Sequence, residues 1–177
     1  MLILITGGSK CGKSSLAESF FDKFKGKKFY IATMIPYGDE AHQAIERHRK
    51  IRNGKGFDTI EKYTDINDID IPENSGVLVE CMGNLCANEM FSDENKIFSS
   101  CEKIISGIKK LSETCSLLVI VSNNVGNDGM NYDCGTAEYI KNLGIINSKI
   151  AEFSDIVIEC VYGIPVFLKG EKICLNL

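Results

Sequence analysis

The sequence predicts an α/β fold in which helices flank a mostly parallel sheet, with an antiparallel hairpin at the C-terminal end of the chain. The first reason is that apolar runs of about five residues, such as Leu117–Val121, alternate with longer segments in which apolar residues recur at helical spacing. The second reason is that residues 2–32 contain a strand, a helix-like segment and another strand. Such a βαβ unit requires parallel strands joined by a right-handed crossover.

A glycine-rich octet directly follows the first predicted strand, Leu2–Ile5, and has the spacing G-x-x-x-x-G-K-[ST]. Its members are Gly7, Gly8, Ser9, Lys10, Cys11, Gly12, Lys13 and Ser14. In this pattern glycines let backbone N–H groups surround phosphate oxygens, the lysine reaches the β- and γ-phosphates, and the hydroxyl ligates Mg²⁺. The helix that follows adds the positive end of its dipole. The octet therefore predicts a phosphate loop (P-loop) and an NTPase-like fold, rather than a purely structural turn.

The elements after the loop are predicted from apolar periodicity and turn residues. In chain order they are a helix at Ser15–Phe24, a strand at Lys28–Ala32, a helix at Asp39–Arg52 with Asp39 as N-cap, strands at Phe57–Tyr63 and Gly76–Cys81, helices at Asn84–Phe91 and Asn95–Glu113, a strand at Leu117–Val121, a helix at about Thr136–Phe153, and a hairpin of Ile156–Val161 with Ile164–Leu168. Residues 64–75 are expected to be either a connecting segment or a short helical turn. Ligands of open α/β sheets bind beyond the carboxyl ends of the strands, which should group Gly7, Thr33, Glu80 and Ser122.

The composition narrows the class of protein. The chain has 177 residues, of which 44% are hydrophobic, and a net charge of −4, which favours one globular domain over residues 1–177 and argues against nucleic-acid binding. No apolar run is long enough to span a bilayer. The eight cysteines contain no C-x-x-C pair and there are two histidines, so a structural zinc site is not expected. Because no secretory signal precedes the first strand, we expect a cytoplasmic protein with reduced thiols.

Glu80 is the candidate for a second metal-handling group. It stands at the end of the apolar run Gly76–Cys81, and a carboxylate in that position of a P-loop protein can hold Mg²⁺ or one of its waters. The alternative is a glutamate that leaves the strand into solvent, where most acidic side chains lie. Ser14 and Glu80 are accordingly the predicted metal ligands, and Thr33, which follows the second strand, is a predicted nucleotide contact.

The segment Asp39–Arg52 contains a candidate nucleophile, His48, on a stripe with Ala44 and Ile45. On the residues alone we interpret it as an ordinary helical histidine, and His42 as an exposed one. A basic cluster surrounds His48, and such a cluster is typical of a solvated helix face. Its members are Arg47, Arg49, Lys50, Arg52 and Lys55. Arg49 and Arg52 are the two that we predict to meet nucleotide phosphates or pyrophosphate.

Motifs along nearly the whole chain resemble the bifunctional adenosylcobinamide kinase / adenosylcobinamide-phosphate guanylyltransferase family of cobalamin biosynthesis. The stretches that carry the resemblance are Ile5–Ser14, Tyr30–Thr33, Asp39-Glu40, Ile45–Arg49, Leu78–Cys81, Val121–Gly126, Gly144 with Asn147, Ala151, Ser154-Asp155 and Gly163–Gly170. The resemblance implies phosphorylation of the aminopropanol hydroxyl of adenosylcobinamide by ATP or GTP, and then transfer of GMP from GTP to the adenosylcobinamide phosphate.

The family performs the second step through a guanylylated histidine, and His48 occupies that motif position. The resemblance thus reverses the interpretation of His48 that the residues alone favour. It also implies that Lys13 and Mg²⁺ neutralise phosphate charge, that Ser14 and Glu80 hold the metal, and that the protein is a homotrimer. A neutral imidazole is a competent nucleophile near neutral pH, so the assignment of His48 is chemically coherent.

Several positions depart from the family pattern. Asn124 replaces an acidic residue after the strand Leu117–Val121, Ala44 replaces an arginine, and the segment 127–141 differs, for example at Tyr139–Lys141. Loss of a general base lowers a rate by about 10²–10⁴-fold, so one of the two activities is expected to be weak or absent unless Asn124 still hydrogen-bonds substrate. Two alternatives therefore stay open. One is a divergent relative that binds GTP or ATP without turnover, as a nucleotide sensor or scaffold, and the other is a P-loop kinase of a different small alcohol.

Overall fold

Seven strands form a single sheet in the computed structural model, which describes residues 1–92 and 100–170 apart from the side chains of Glu40, Ala44, His48 and Ile51. The strands are β1 (Leu2–Thr6), β2 (Lys28–Ala32), β3 (Phe57–Glu61), β4 (Gly76–Glu80), β5 (Leu117–Val121), β6 (Ile156–Val161) and β7 (Ile164–Lys169). The helices are α1 (Lys13–Ser19), α2 (Gly38–Arg52), α3 (Met82–Phe91), α4 (Ser100–Thr114) and α5 (Cys134–Phe153), and a 3₁₀ turn occupies Ile66–Asp68.

The sheet has the strand order β3-β2-β4-β5-β1-β6-β7. The first six strands are parallel to their neighbours, and β7 runs antiparallel to β6. The hairpin turn is Tyr162-Gly163, whose positive φ values of 51° and 83° suit a tight two-residue connection. These features confirm the predicted α/β fold, with a mostly parallel sheet and a C-terminal antiparallel hairpin.

Alternation of side chains along the strands builds a core on each face of the sheet. Leu2 and Leu4 of β1 face one cluster, which α3, α4 and α5 complete. Ile3 and Ile5 face the other, which is covered by Leu16 and Ala17 of α1 and by Phe21 just after that helix. The central strands β1, β4 and β5 are buried along their whole length. Burial of both faces explains why these strands appear in the sequence as uninterrupted apolar runs.

Three differences from the predicted element boundaries concern α1, α2 and α5, and the other described boundaries shift by at most two residues. Helix α1 ends at Ser19, because tight i→i+3 bonds such as Phe21 N–H to Glu18 O turn the chain and allow Phe21 to pack edge-on against Phe24 and Phe57. Helix α2 begins at Gly38 with Tyr37 as its N-cap, so the prediction of Asp39 as N-cap is wrong. Helix α5 begins at Cys134, two residues early, because the Asp133 carboxylate accepts the N–H of Thr136.

The remaining segments agree with the predictions within the described residues. The 3₁₀ turn at Ile66–Asp68 is the short helical turn that was one of two expectations for residues 64–75. The helix predicted at Asn95–Glu113 is observed from Ser100, and its first predicted residues, including Ile97, lie outside the described part of the chain. In the described ranges 1–92 and 100–170, no helix combines the length and apolarity that a membrane crossing needs.

Helix α4 packs against the 3₁₀ turn without room for a side chain at Gly107. A Cβ there would lie 2.4 Å from Ile66 Cγ2 and 3.1 Å from the Asn67 backbone nitrogen, whereas a Cβ at Gly144 of α5 would meet nothing within 4 Å. Both positions are helical, so alanine should gain about 1 kcal/mol of helix propensity at each.

We therefore predict opposite effects of the same substitution. Gly144→Ala should stabilise the protein by about 0.5–1 kcal/mol, and Gly107→Ala should destabilise it by about 1–3 kcal/mol because overpacking outweighs propensity. Urea denaturation of the two variants and the parent protein measures both changes. Equal stabilisation by both substitutions would show that α4 and the 3₁₀ turn do not pack as tightly as described.

Candidate active site at the phosphate loop

The loop between β1 and α1 has the backbone shape that the octet predicts. Gly7 and Gly12 have φ values of 145° and 100°, and Lys10 lies in the left-handed region at 56°. A Cβ at Gly7 would stand 2.5 Å from the Cys160 carbonyl oxygen, so only glycine fits there. The loop is thus wrapped closely against the carboxyl end of β6, and α1 begins directly after it at Lys13. This arrangement is the strand–loop–helix cradle that binds phosphate in P-loop proteins.

Lys13 lies inside the curve of this loop. Its side chain is only 6% exposed, and its ammonium donates hydrogen bonds to the carbonyl oxygens of Gly7, at 3.0 Å, and of Gly8. A buried ammonium is unfavourable unless its donors are occupied, and neutral carbonyls are weaker partners than charged oxygens. The lysine is therefore positioned to exchange these carbonyls for phosphate oxygens that enter the cradle.

A chain of hydrogen bonds joins the loop to the ends of β4 and β2. Glu80 is 8% exposed, its Oε1 accepts the hydroxyl of Ser14, and its Oε2 accepts the hydroxyl of Tyr30 at 3.1 Å. Burial, and next the Glu80 carboxylate, raise the pKa of Tyr30, so the phenol remains protonated as a donor. The acid thus points into the site, and the alternative in which it leaves the strand into solvent does not hold.

Arg52, from the last turn of α2, covers the other side of Tyr30. Its guanidinium carbon lies 3.4 Å from the centre of the Tyr30 ring, which is a cation–π contact. The residue is 7% exposed, and its Nη1 is buried without a hydrogen-bond partner among the described residues. A buried arginine donor is strongly unfavourable when unpaired, and a planar guanidinium suits a phosphate or carboxylate. An anion is therefore the natural partner for Nη1.

These side chains line one cavity of about 270 Å³ above the loop. Its lining includes the cationic side chains Lys10, Lys13, Arg47 and Arg52, with Glu80 as the only carboxylate among the lining residues that the structure describes. The charge of the described cavity lining is thus positive, although the net charge of the whole chain is −4. Such focusing of positive charge in a cleft attracts a polyanion of the size of a nucleotide triphosphate.

Not all of the predicted site residues face this cavity. Thr33 is fully buried and acts as a clip between β2 and β4, because its hydroxyl accepts Cys81 N–H and donates to Cys81 O, both at 2.8 Å. Arg49 is 60% exposed and forms an ion pair with Glu61 at 2.8 Å, beside a second cavity of about 280 Å³. Their roles as nucleotide contacts stay predictions.

His48 belongs to the described helix α2, and its side chain lies outside the described part of the chain. Its position along the helix is one turn before Arg52, whose guanidinium is in the cavity wall. The role of His48 as the guanylylated nucleophile stays a prediction. His42 is exposed, as expected, and one of its ring nitrogens is 2.8 Å from the Gly38 carbonyl oxygen.

The polar residues after β5 form a second wall of the site. Asn123 lines the main cavity together with Asn84 of α3. Asn124 turns away to β6, where its side-chain amide donates to Glu159 at 2.9 Å, while its backbone N–H donates to Gly7 O at 3.0 Å. The carboxylate of Glu159, in β6, therefore lies next to Asn124, the position at which this chain lacks the acidic residue of the family pattern.

Sequence reasoning missed Tyr30, Asn84 and Arg47 as site residues. Tyr30 stood inside an apolar strand, Asn84 inside a helical pattern, and Arg47 in a basic run that we interpreted as solvated. For Tyr30, the strand register supplies the signal that the sequence lacks. Ala32 pairs with Glu80 in the parallel register, so the strand alternation places Tyr30 on the same face as Glu80 and diagonally opposite to it.

The site has the donor set that a magnesium ion needs. Ser14 Oγ, in the first turn of α1, and Glu80 Oε1, at the end of β4, already contact each other, and both are oxygen donors that suit Mg²⁺. Mg²⁺ in nucleotide sites is held by one or two such side chains together with phosphate oxygens and waters. No group of three or more histidine, cysteine, aspartate or glutamate residues that could form an all-protein metal site occurs in residues 1–92 or 100–170. The two oxygen donors therefore suit a metal ion that binds together with a nucleotide.

Comparison with known proteins identifies the family that the sequence motifs resemble, and the match extends over nearly the whole chain. Residues 3–168 match the family model described as cobinamide kinase / cobinamide phosphate guanyltransferase. The bifunctional adenosylcobalamin biosynthesis protein CobU of Escherichia coli (strain K12) is 30% identical over 184 aligned positions, which cover 96% of this chain and 100% of that protein.

Two further relatives have similar lengths and names. CobU of Salmonella typhimurium is 28% identical over 96% of this chain and 100% of its own length, and CobP of Pseudomonas aeruginosa is 26% identical over 96% and 98%. The match to the family model includes the loop, Glu80, all of α2 and the C-terminal hairpin up to Leu168. The chain belongs to the cobinamide kinase / cobinamide phosphate guanyltransferase family.

Proposed function

We propose that this protein phosphorylates adenosylcobinamide with a nucleoside triphosphate and then transfers GMP from GTP to the resulting phosphate, through a guanylylated His48. The observation that carries the proposal is the buried guanidinium of Arg52, whose Nη1 has no partner among the described residues and which shares a cavity with Lys13, Ser14 and Glu80. That constellation fits a bound triphosphate, and the family supplies the reaction class.

In the kinase step the chain's own groups position and neutralise the phosphates. Backbone N–H groups of the loop and the Lys13 ammonium would bind the β- and γ-phosphates, and Arg52 Nη1 would bind a further phosphate oxygen. Ser14 and Glu80 would hold Mg²⁺, which supplies charge neutralisation when it is bound. Tyr30 keeps the Glu80 carboxylate oriented toward Ser14 by donating to its second oxygen.

In the guanylyl transfer step, His48 would attack the α-phosphorus of GTP and release pyrophosphate. The new bond joins an imidazole nitrogen to phosphorus, and the bond to the β-phosphate oxygen breaks. Helix α2 carries His48, Arg49 and Arg52, so one element would deliver both the nucleophile and cationic partners for the leaving pyrophosphate. The phosphate of adenosylcobinamide phosphate would then displace histidine and regenerate the free enzyme.

A specific observation favours a second candidate function. The acidic residue of the family pattern is absent at position 124, and the side chain of Asn124 is engaged with Glu159 rather than directed into the cavity. A divergent relative that binds GTP or ATP but has lost one or both activities, as a sensor or scaffold, is consistent with that arrangement. Turnover assays separate it from the first candidate, because nucleotide binding is common to both.

The proposal includes a homotrimer in the cytoplasm, by analogy with the family that the sequence resembles. Exposed apolar side chains on the β6–β7 hairpin, such as Ile164 and Leu168 at 65% and 60% exposure, offer a surface for contacts between subunits. The mass measured by light scattering checks the trimer, and cell fractionation checks the location.

The first prediction concerns the covalent intermediate. Incubation with GTP labelled at the α-phosphate should leave label on the denatured protein, and His48→Ala should abolish the label because no other α2 side chain would replace the nucleophile. His42→Ala is the matched control, since His42 is an exposed histidine of the same helix, and it should retain full labelling. Absence of label on the parent protein would remove the guanylyltransferase half of the proposal.

The second prediction concerns the kinase half. Lys13→Ala should lower kcat/KM for transfer of the γ-phosphate to adenosylcobinamide by about 10²–10³-fold, because a charged donor to the transferred group is lost. Lys149→Ala, which removes an exposed lysine paired with Glu152 on α5, should leave the rate unchanged. A Lys13→Ala protein that turns over at the parent rate would contradict the role given to the loop.

The third prediction separates binding from stability at Arg52. Arg52→Met should weaken GTP binding about 10-fold or more, because a charge-assisted hydrogen bond worth about 1.5–3 kcal/mol is lost. Its unfolding temperature without nucleotide should fall little, since the substitution also removes a buried, incompletely paired cation. Calorimetry and thermal denaturation provide the two readouts.

Lys50→Met is the control for Arg52→Met. Lys50 is an exposed cation in the same helix turn, with 82% of its side chain exposed, and its loss should not alter GTP affinity. Equal affinities for Arg52→Met and the parent protein would show that Nη1 does not meet the nucleotide.

A further inference from the structure

Two cysteines that are distant in sequence meet at the back of the phosphate loop. Cys11 is in the loop itself, and Cys160 is in β6, next to the strand that leads into the loop. The Cys160 thiol donates to the Cys11 carbonyl oxygen at 3.1 Å. The two cysteines are therefore in direct contact although 148 residues separate them in the sequence.

The surrounding backbone holds this pair in place. Gly163 N–H donates to Cys11 O at 2.8 Å, so the turn between β6 and β7 is bonded to the loop. A Cβ built at Gly12 would lie 3.3 Å from Gly163 Cα and 3.8 Å from Cys160 Sγ. The loop is thus in close contact with the hairpin at Gly12 and Gly163, and the Cys160 side chain lies beside that contact.

The two thiols differ in access and in electrostatic surroundings. Cys11 is half-buried and lines an open cleft of about 630 Å³ between the loop and the hairpin, with its sulfur 3.8 Å from the Lys13 ammonium. Cys160 is buried, and burial together with the neighbouring Cys11 raises the pKa of its thiol. A reagent from solvent would therefore meet Cys11 first.

We propose that Cys11 and Cys160 form an oxidation site, in which an intrachain disulfide ties the phosphate loop to β6 and prevents nucleotide binding. The oxidant is a low-molecular-weight disulfide. Only the loss of nucleotide binding rests on the function proposed above, because the pairing of the thiols depends on their own contacts.

The chemistry is a pair of thiol–disulfide exchanges. The Cys11 thiolate attacks one sulfur of the small disulfide, the sulfur–sulfur bond breaks, and one small thiolate leaves and takes up the Cys11 proton. Cys160, after losing its own proton, then attacks Cys11 Sγ in this mixed disulfide and expels the second small thiol. The protein loses two protons and two electrons, and the small disulfide gains both as two thiols.

The consequence for the site follows from what the loop has to do. Lys13 donates to the carbonyl groups of Gly7 and Gly8, and these bonds have to be exchanged when phosphate enters the cradle. A covalent bond from Cys11 to the sheet would draw its sulfur away from Lys13 and hold the loop in one shape. The reduced pair permits that rearrangement because its contacts with the hairpin are hydrogen bonds.

Three of the other described cysteines lie away from the loop. Cys86 and Cys115 are buried and contact Met90 Sδ and Leu111 O, whereas Cys134 is exposed at the start of α5. Cys134→Ser is therefore a control for the general loss of a reactive thiol, and Cys160→Ser removes the proposed partner while a hydroxyl can still donate to Cys11 O.

The test treats the folded protein with oxidised glutathione and follows two readouts. Peptide mapping by mass spectrometry should find the peptides containing Cys11 and Cys160 joined, with the loss of two hydrogen atoms. Calorimetry with Mg²⁺ and a non-hydrolysable GTP analogue should show that binding is lost on oxidation and returns when dithiothreitol is added. Cys160→Ser should keep its binding through the same treatment, and Cys134→Ser should lose it as the parent does.

Distinct results overturn the two halves of the inference. Absence of the linked peptide from the folded parent protein rejects the oxidation site, and this measurement needs no variant. A linked protein that still binds the analogue, or a Cys160→Ser protein that loses binding on oxidation, rejects the disulfide as the cause. If the reduced parent protein fails to bind the analogue, the proposed function is rejected, and so is the proposed effect of the disulfide on nucleotide binding. The peptide map still shows whether Cys11 and Cys160 form a disulfide.

Discussion

The candidate site depends on one buried carboxylate. Glu80 ends a central strand, and both of its oxygens accept hydroxyl donors, Ser14 from the loop and Tyr30 from the adjacent strand. A buried carboxylate is tolerated only when such donors satisfy it, so the loop, β4 and β2 are locked in one relative arrangement. Arg52 then stacks on the phenol that Glu80 fixes, and α2 gains its attachment to the site. Loss of this acid would therefore disturb the position of α2 and also remove the proposed metal ligand.

The distribution of charge in the molecule is also organised around that site. The chain as a whole is acidic, yet the cavity lining that the structure describes has four cations and one carboxylate. Burial of Lys13 and Arg52 is unfavourable in the absence of an anion, which means that part of the binding free energy of a phosphate would come from relieving that penalty.

The sequence predicted the parts of the fold that local patterns determine. Strand β1, the loop and Glu80 follow from an apolar run, a spaced motif and a strand end, and β2, β5 and β6 were predicted to the residue. The contacts between Tyr30, Arg52 and Glu80 could not be predicted, since they require the parallel register of β2 with β4 and the packing of α2 on β2. The early end of α1 likewise depends on aromatic packing with Phe57, far along the chain.

The place of β1 in the sheet bears on how the protein is made. The strand that leads into the phosphate loop pairs with β5 and β6, so both of its neighbours are contributed by the second half of the chain. During synthesis the loop would emerge first and remain without its sheet partners until residue 161 has left the ribosome. Pairings of such long sequence separation form slowly because loop closure precedes any gain in contacts. The phosphate loop thus precedes in the chain the two strands that complete its sheet, and chains that end before β6 would lack the organised loop.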